Sequence, residues 1–213
     1  MGYRIDKLDP TRTALLVIDM QHDFLAPGAP LETRAGREMI PTLNEMIRFS
    51  RGKQIPVIFT AHVHHEDGSD MGLYADLYPP IAARSALIDG TPGSEIYAEV
   101  DILPSDRLIR KHRYSAFHAT DLEMILRGLG VTDVVVTGVT TEDCVHATAR
   151  DAMFRNFRTA VISDAAGTYD HPDLGLGAMS AEQVHQATLV VLAQSTAAII
   201  SSREFYGLLS HGD

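Results

Sequence analysis

Short β-branched runs recur along this chain, each separated from the next by residues with helical spacing, and this alternation restricts its folds more than any other feature. Leu15-Leu16-Val17-Ile18 stops at Asp19, Pro56-Val57-Ile58-Phe59 precedes a histidine-rich segment, and Arg107-Leu108-Ile109-Arg110 stops at Lys111. Val134-Val135-Val136 leads toward Cys144, Thr159-Ala160-Val161-Ile162 ends near Asp164, and Ala197-Ala198-Ile199-Ile200 comes last. Apolar runs of this length without polar alternation read as strands buried on both faces. Between them, Met39, Ile40, Leu43, Met46, Ile47 and Phe49 share one helical face that Gly52 closes. Further helices are predicted from a Thr120 or Asp121 cap to Leu129, from Val145 to Met153, and from about 181 to 192 behind Ser180. Strands alternating with helices imply an α/β fold, a three-layer αβα arrangement around a mostly parallel six-stranded sheet of Rossmann-like type. No repeat, linker or low-complexity tract divides the chain, so residues 1–213 are expected to form one domain. The stretch from His62 to about Asp101 interrupts the alternation with many Gly, Pro and Asp residues. Such excursions in compact domains are usually lids or binding loops.

Charge and composition exclude several functions. A net charge of −10 without a basic stripe argues against a nucleic-acid partner. No stretch approaches the ~18 apolar residues of a membrane span, and the first residues lack an apolar signal region. A single cysteine rules out an internal disulfide framework, so the cytoplasm is the expected compartment.

Chemistry is predicted to collect at one edge. Ligands of such sheets bind beyond the carboxyl ends of the strands. Three predicted strands end there in reactive residues: Asp19 as an acid, Lys111 as a base and Cys144 as a nucleophile. The thiol lies at a strand-to-helix junction, where free N–H groups and the helix dipole favour thiolate. Each residue also has an ordinary reading: Asp19 as a loop cap, Lys111 as a solvated charge, Cys144 as a core filler.

The segments Leu16-Val17-Ile18-Asp19-Met20-Gln21-His22-Asp23-Phe24, Lys111-His112-Arg113-Tyr114-Ser115-Ala116-Phe117 and Thr137-Gly138-Val139-Thr140-Thr141-Glu142-Asp143-Cys144-Val145 occur in an order that resembles the isochorismatase-like cysteine hydrolases. The resemblance runs from Thr13 to about Ser201. It implies a triad of Cys144, Lys111 and Asp19 that cleaves the C–N bond of a small amide through a thioester. It also implies a cis peptide at Val139–Thr140, with the backbone N–H groups of Thr140 and Cys144 forming an oxyanion site. The physical logic agrees: Asp19 can accept the thiol proton and return it to the leaving nitrogen.

Substrate contacts are expected from Gln21, Phe24, Tyr114, Phe117 and His118. Phe24, Tyr114 and Phe117 either wall a pocket or pack the core, Gln21 either bonds a polar substrate or satisfies a loop, and His118 either touches substrate or faces solvent. His62-Val63-His64-His65 lies close to where nicotinamidases of this group carry an Asp-x-His metal motif. Here His62 stands in the acidic ligand's place, so no metal and no cofactor are expected, and His62 or His64 is left to bond the substrate's distal end. The expected substrates are linear amides or ureides: carbamoyl amino acids, biuret-like ureides, ureidoacrylates or maleamate-like acids. The expected assembly is a homodimer or homotetramer. A metal-assisted nicotinamidase-like amidase, an isochorismatase-type vinyl-ether hydrolase and a non-catalytic binding protein of the same fold remain as alternatives.

Overall fold

The computed structural model describes residues 3–209. Six strands form one sheet: β1 (Thr13–Ile18), β2 (Val57–His62), β3 (Arg107–Lys111), β4 (Asp133–Val139), β5 (Arg158–Gly167) and β6 (Ala198–Ile200). Every pairing is parallel, in the order β3-β2-β1-β4-β5-β6. Nine helices connect or flank them among the described residues: α1 (His22–Leu25), α2 (Arg34–Glu38), α3 (Ile40–Gly52), α4 (Tyr74–Leu77), α5 (Pro79–Ala82), α6 (Leu122–Gly128), α7 (His146–Phe154), α8 (Ala181–Ser195) and α9 (Ser202–Leu209).

The two-residue period of a strand splits each continuous apolar run between two cores. Leu15, Val17, Phe59, Val135, Ala160 and Ile162 face α3 and α9, packing on Leu43, Met46, Ile47 and Phe205. Ala14, Leu16, Ile18, Ile58, Val134, Val136 and Val161 face the other way, onto Leu126 of α6, Ala149 and Ala152 of α7, and Leu192 of α8. Strands β1, β2 and β4 are buried along their whole length because both faces carry helices.

Several boundaries differ from the sequence reading. Strand β5 continues past Asp164 to Gly167, because a register shift between Val136 and Gly138 lets β4 pair again with Ala166 and Gly167. Gly138 sits at φ 107°, and a Cβ there would collide with the backbone of Ile18 in β1. Only glycine allows the two central strands to approach at this point. Ser180 caps α8 as expected, in a capping box with Gln183. The short α9 was not foreseen; its anchors Phe205 and Leu209 form only one helical repeat.

The excursion after β2 folds back over the carboxyl ends of the strands. Asp23 of α1 accepts the Leu87 N–H at 2.6 Å, and Gln21 bridges to Ile96. Tyr74 and Ile81, from the one-turn helices α4 and α5, are buried in the larger core.

Candidate active site

Asp19 follows the last residue of β1, Lys111 ends β3, and Cys144 comes five residues after Val139, the last of β4. Parallel register places the ends of β1, β2 and β3 side by side, with His62 opposite Lys111. All of Asp19, His62, Lys111 and Cys144 are buried, Asp19 and Lys111 completely. The Lys111 Nζ lies 2.6 Å from Asp19 Oδ2, 3.0 Å from the Arg113 carbonyl and 3.4 Å from Cys144 Sγ. Its three N–H bonds therefore have three acceptors. The Thr60 hydroxyl donates to Asp19 Oδ1 at 2.6 Å and fixes the carboxylate plane. Ligating atoms of Asp19, His62 and Cys144 lie within 4.8 Å of one another.

Cys144 occupies a wide π-type turn, Thr141–Val145, that runs into α7. Such turns inside helices recur at functional sites. The Val139–Thr140 peptide is cis. The thiol's ionisation departs from the sequence expectation. Burial pushes its pKa well up, the Lys111 ammonium opposes this, and the Asp19 carboxylate adds to it. The positive end of a helix does not outweigh the loss of water around a buried sulfur. Burial thus favours the protonated thiol. Lys111 keeps its proton: burial disfavours its charge, but Asp19 and the sulfur raise its pKa above the lysine norm.

A cavity of about 300 Å³ opens above the sulfur. Phe24, Tyr114, Thr140 and Cys144 line it, together with His62, Tyr74, Tyr78, Asp143, Tyr169 and Glu32. Burial and Lys111 hold His62 well below the usual histidine pKa, so the ring is neutral. The Tyr78 hydroxyl is 2.9 Å from that of Tyr114 and donates to Asp143 Oδ2 at 3.2 Å. Burial, then the neighbouring Glu142, pushes Asp143 up to about 6. Burial also raises Tyr74 and Tyr169 to about 12 and Tyr78 and Tyr114 further, so all four hydroxyls stay protonated.

Three expected substrate contacts lie outside this lining. Gln21 is fully buried and satisfied: its amide donates to the carbonyls of His62 and Ser94, and its Oε1 accepts the His62 N–H. Phe117 packs against Phe157 at 5.8 Å between ring centres, under the Arg155 guanidinium, in the core beneath α6. His118 is exposed. Both lie beyond Tyr114 in the segment after β3. Conversely, sequence reasoning missed Asp143, Tyr74, Tyr78 and Tyr169. Tyr74 and Tyr78 lie in the excursion, whose length was the available signal, and Asp143 adjoins the cysteine.

The histidine segment contributes to a second group: ligating atoms of His64, Asp70 and His112 lie within 4.8 Å of one another. His64 Nδ1 and His112 Nδ1 lie 3.1 and 2.7 Å from Asp70 Oδ2, and His112 Nδ1 is also 2.8 Å from the Val63 carbonyl. A histidine nitrogen that donates to a carbonyl carries a proton and leaves the other ring nitrogen as the one able to ligate. His64 is thereby held away from the cavity.

A family model described as the isochorismatase domain matches residues 13–204. A cysteine hydrolase from Pseudomonas syringae pv. phaseolicola superposes with a TM-score of 0.92 at 31% identity, over 98% of this chain and 96% of that one. Nicotinamidase 3 of Arabidopsis thaliana is 33% identical over 90% of this chain and 86% of its own length. Ureidoacrylate amidohydrolase RutB of Methylobacterium radiotolerans is 32% identical over 74% of this chain and 68% of its own. With its parallel six-stranded sheet and the thiol at the end of β4, the chain belongs to the isochorismatase family, as a hydrolase of carbon–nitrogen bonds other than peptide bonds.

Proposed function

We propose that the protein is a cysteine-dependent amidohydrolase of small linear amides or ureides, working through a thioester on Cys144. The observation that carries this reading is the Lys111 ammonium wedged between the Asp19 carboxylate and the Cys144 sulfur at the floor of the cavity. In the first step, the Cys144 proton passes to Asp19 as the sulfur attacks the amide carbon. Lys111 offsets the charge on whichever of the two is ionised, so the pair exchanges one proton beside a fixed cation. The tetrahedral oxyanion is held by the N–H groups of Thr140 and Cys144, donors each worth about 10²–10³ in rate when well aimed. Collapse breaks the C–N bond, and protonated Asp19 supplies the proton that makes the amine a leaving group. Water then attacks the thioester, gives its proton to Asp19, and the released sulfur recovers it. A thiol whose pKa burial raises fits this cycle, because its proton then leaves only as the sulfur attacks.

The test is mass spectrometry of acid-quenched enzyme during turnover of a primary amide. The wild type should carry an acyl adduct on Cys144, and Cys144→Ala should carry none and hydrolyse nothing. Turnover by the alanine variant would end the covalent reading. A homodimer or homotetramer is also proposed, supported by Leu174 and Leu176, which stand 86% and 98% exposed. A monomer in sedimentation velocity would remove that reading.

A nicotinamidase-like activity is the second reading, favoured by the similarity to Nicotinamidase 3 and by the aromatic cavity wall. It requires a metal in the family's manner. His62 in place of the acidic ligand departs from that family motif.

A further inference from the structure

Among the described residues no arginine or lysine lines the cavity. Lys111 beneath it spends its three donors on Asp19, Arg113 and Cys144. His62 is neutral, for the reasons given above. The nearby Arg113 guanidinium donates to the backbone carbonyls of Asp70 and His112 and lies 5.6 Å from the Tyr74 ring centre. Of the two acids in the lining, Glu32 is paired with Arg37 at 2.7 Å. That leaves Asp143, which forms no ion pair among the described residues and accepts a hydrogen bond from the Tyr78 hydroxyl.

Around Asp143 the lining is aromatic. Tyr78 and Tyr114 share a hydrogen bond, the Tyr74 and Tyr114 rings meet edge to face at 5.0 Å, and Tyr169 completes the group. A carboxylate set among tyrosine rings suits an ammonium or N–H donor, through both its charge and the negative ring faces. The same surroundings repel a carboxylate. Such a group would lose its water against apolar wall, find no cation, and face Asp143.

We propose that Asp143 and its tyrosines form the recognition site for the remote end of the substrate, and that this end is a protonated amine or an N–H donor rather than a carboxylate. The inference rests on the amidase reading for its chemistry. It narrows the substrates to neutral or cationic amides and biuret-like ureides. Carbamoyl amino acids, ureidoacrylates and maleamate-like acids, all anionic, are selected against.

Three primary amides of matched length test this: 3-aminopropanamide, butanamide and succinamate, which end in ammonium, methyl and carboxylate. Steady-state kcat/KM is measured on the wild type, and dissociation constants by calorimetry on Cys144→Ala. The expected order in both is ammonium, then methyl, then carboxylate, with a step of roughly tenfold at each exchange, the scale of one moderate polar contact. In Asp143→Asn the ammonium-to-methyl ratio should fall toward one. Should that variant fail to fold, the Cys144→Ala series still decides. Succinamate bound or hydrolysed better than butanamide overturns the proposal, as does failure of Cys144→Ala to bind any of the three. If the binding order holds but the wild type hydrolyses none, the recognition site stands and the amidase reading falls.

Discussion

Asp143→Asn should make the protein more stable at neutral pH, because the folded chain holds this carboxyl where ionisation is unfavourable. Its pKa rises from 3.8 to about 6, with burial as the main cause and Glu142 as the second. A raised carboxyl pKa means the folded state binds the proton more tightly than the unfolded state does. The penalty is therefore absent below about pH 4, where both states are protonated. It grows through the interval from 3.8 to about 6 and is complete above it. A carboxyl moved from 3.8 to about 6 corresponds to about 3 kcal/mol. Asp143 is only half-buried by its cavity-facing side, and solvent there relaxes part of the cost, leaving about 1–3 kcal/mol. Asparagine keeps the shape and can still accept from Tyr78 while removing the charge. Urea unfolding followed by circular dichroism at about pH 8, 6 and 4 should give a gain of about 1–3 kcal/mol at the highest pH, less at the middle one and almost none at the lowest. A loss at about pH 8, or a gain that does not vary with pH, would refute the reasoning. The expected trade, stability gained and cationic selectivity lost, is what a buried recognition charge predicts.

Other perturbations probe the rest of the site. Alkylation of Cys144 by iodoacetamide should be slow near neutral pH and rise only well above the ordinary thiol range, since burial and Asp19 raise its pKa; a fast plateau below about pH 7 would point to a preformed thiolate. Gly138→Ala should destabilise by more than the ~1 kcal/mol of an ordinary glycine-to-alanine exchange and impair activity, because the added methyl meets the Ile18 backbone in β1 next to Asp19; unchanged thermal unfolding would contradict that close approach. Exhaustive chelation should leave the rate unchanged, whereas loss restored by zinc or manganese would move the assignment to the nicotinamidase-like reading.

The architecture was legible because it depends on local regularities that sequence carries directly. The β-branched runs at 15–18, 57–59 and 134–136 had to be strands buried on both faces, and their alternation with helical stretches left a parallel sheet as the arrangement that covers both faces. Glycine and serine boundaries, such as Ser180 before α8, act through bonds a few residues long and were equally readable. The convergence of Asp19, Lys111 and Cys144 was readable from their places at or just past strand ends, since a parallel sheet brings such ends to one edge. What the sequence did not contain was the direction of individual side chains. Phe24 and Phe117 follow reactive positions in similar contexts, yet one lines the cavity and the other packs on Phe157. Gln21 turned out to be consumed by the backbone of His62 and Ser94, 41 and 73 residues away. The thiol's pKa depended on how much water the packed core removes from the sulfur, against which a local helix-end argument is weak. Asp143 and the four tyrosines come from segments far apart in the chain, and only the folding of residues 62–101 over the strand ends assembles them around one cavity. Tertiary structure decided these features because burial, pairing and charge balance are set by partners distant in sequence, whereas strand, helix and cap formation are set by neighbours.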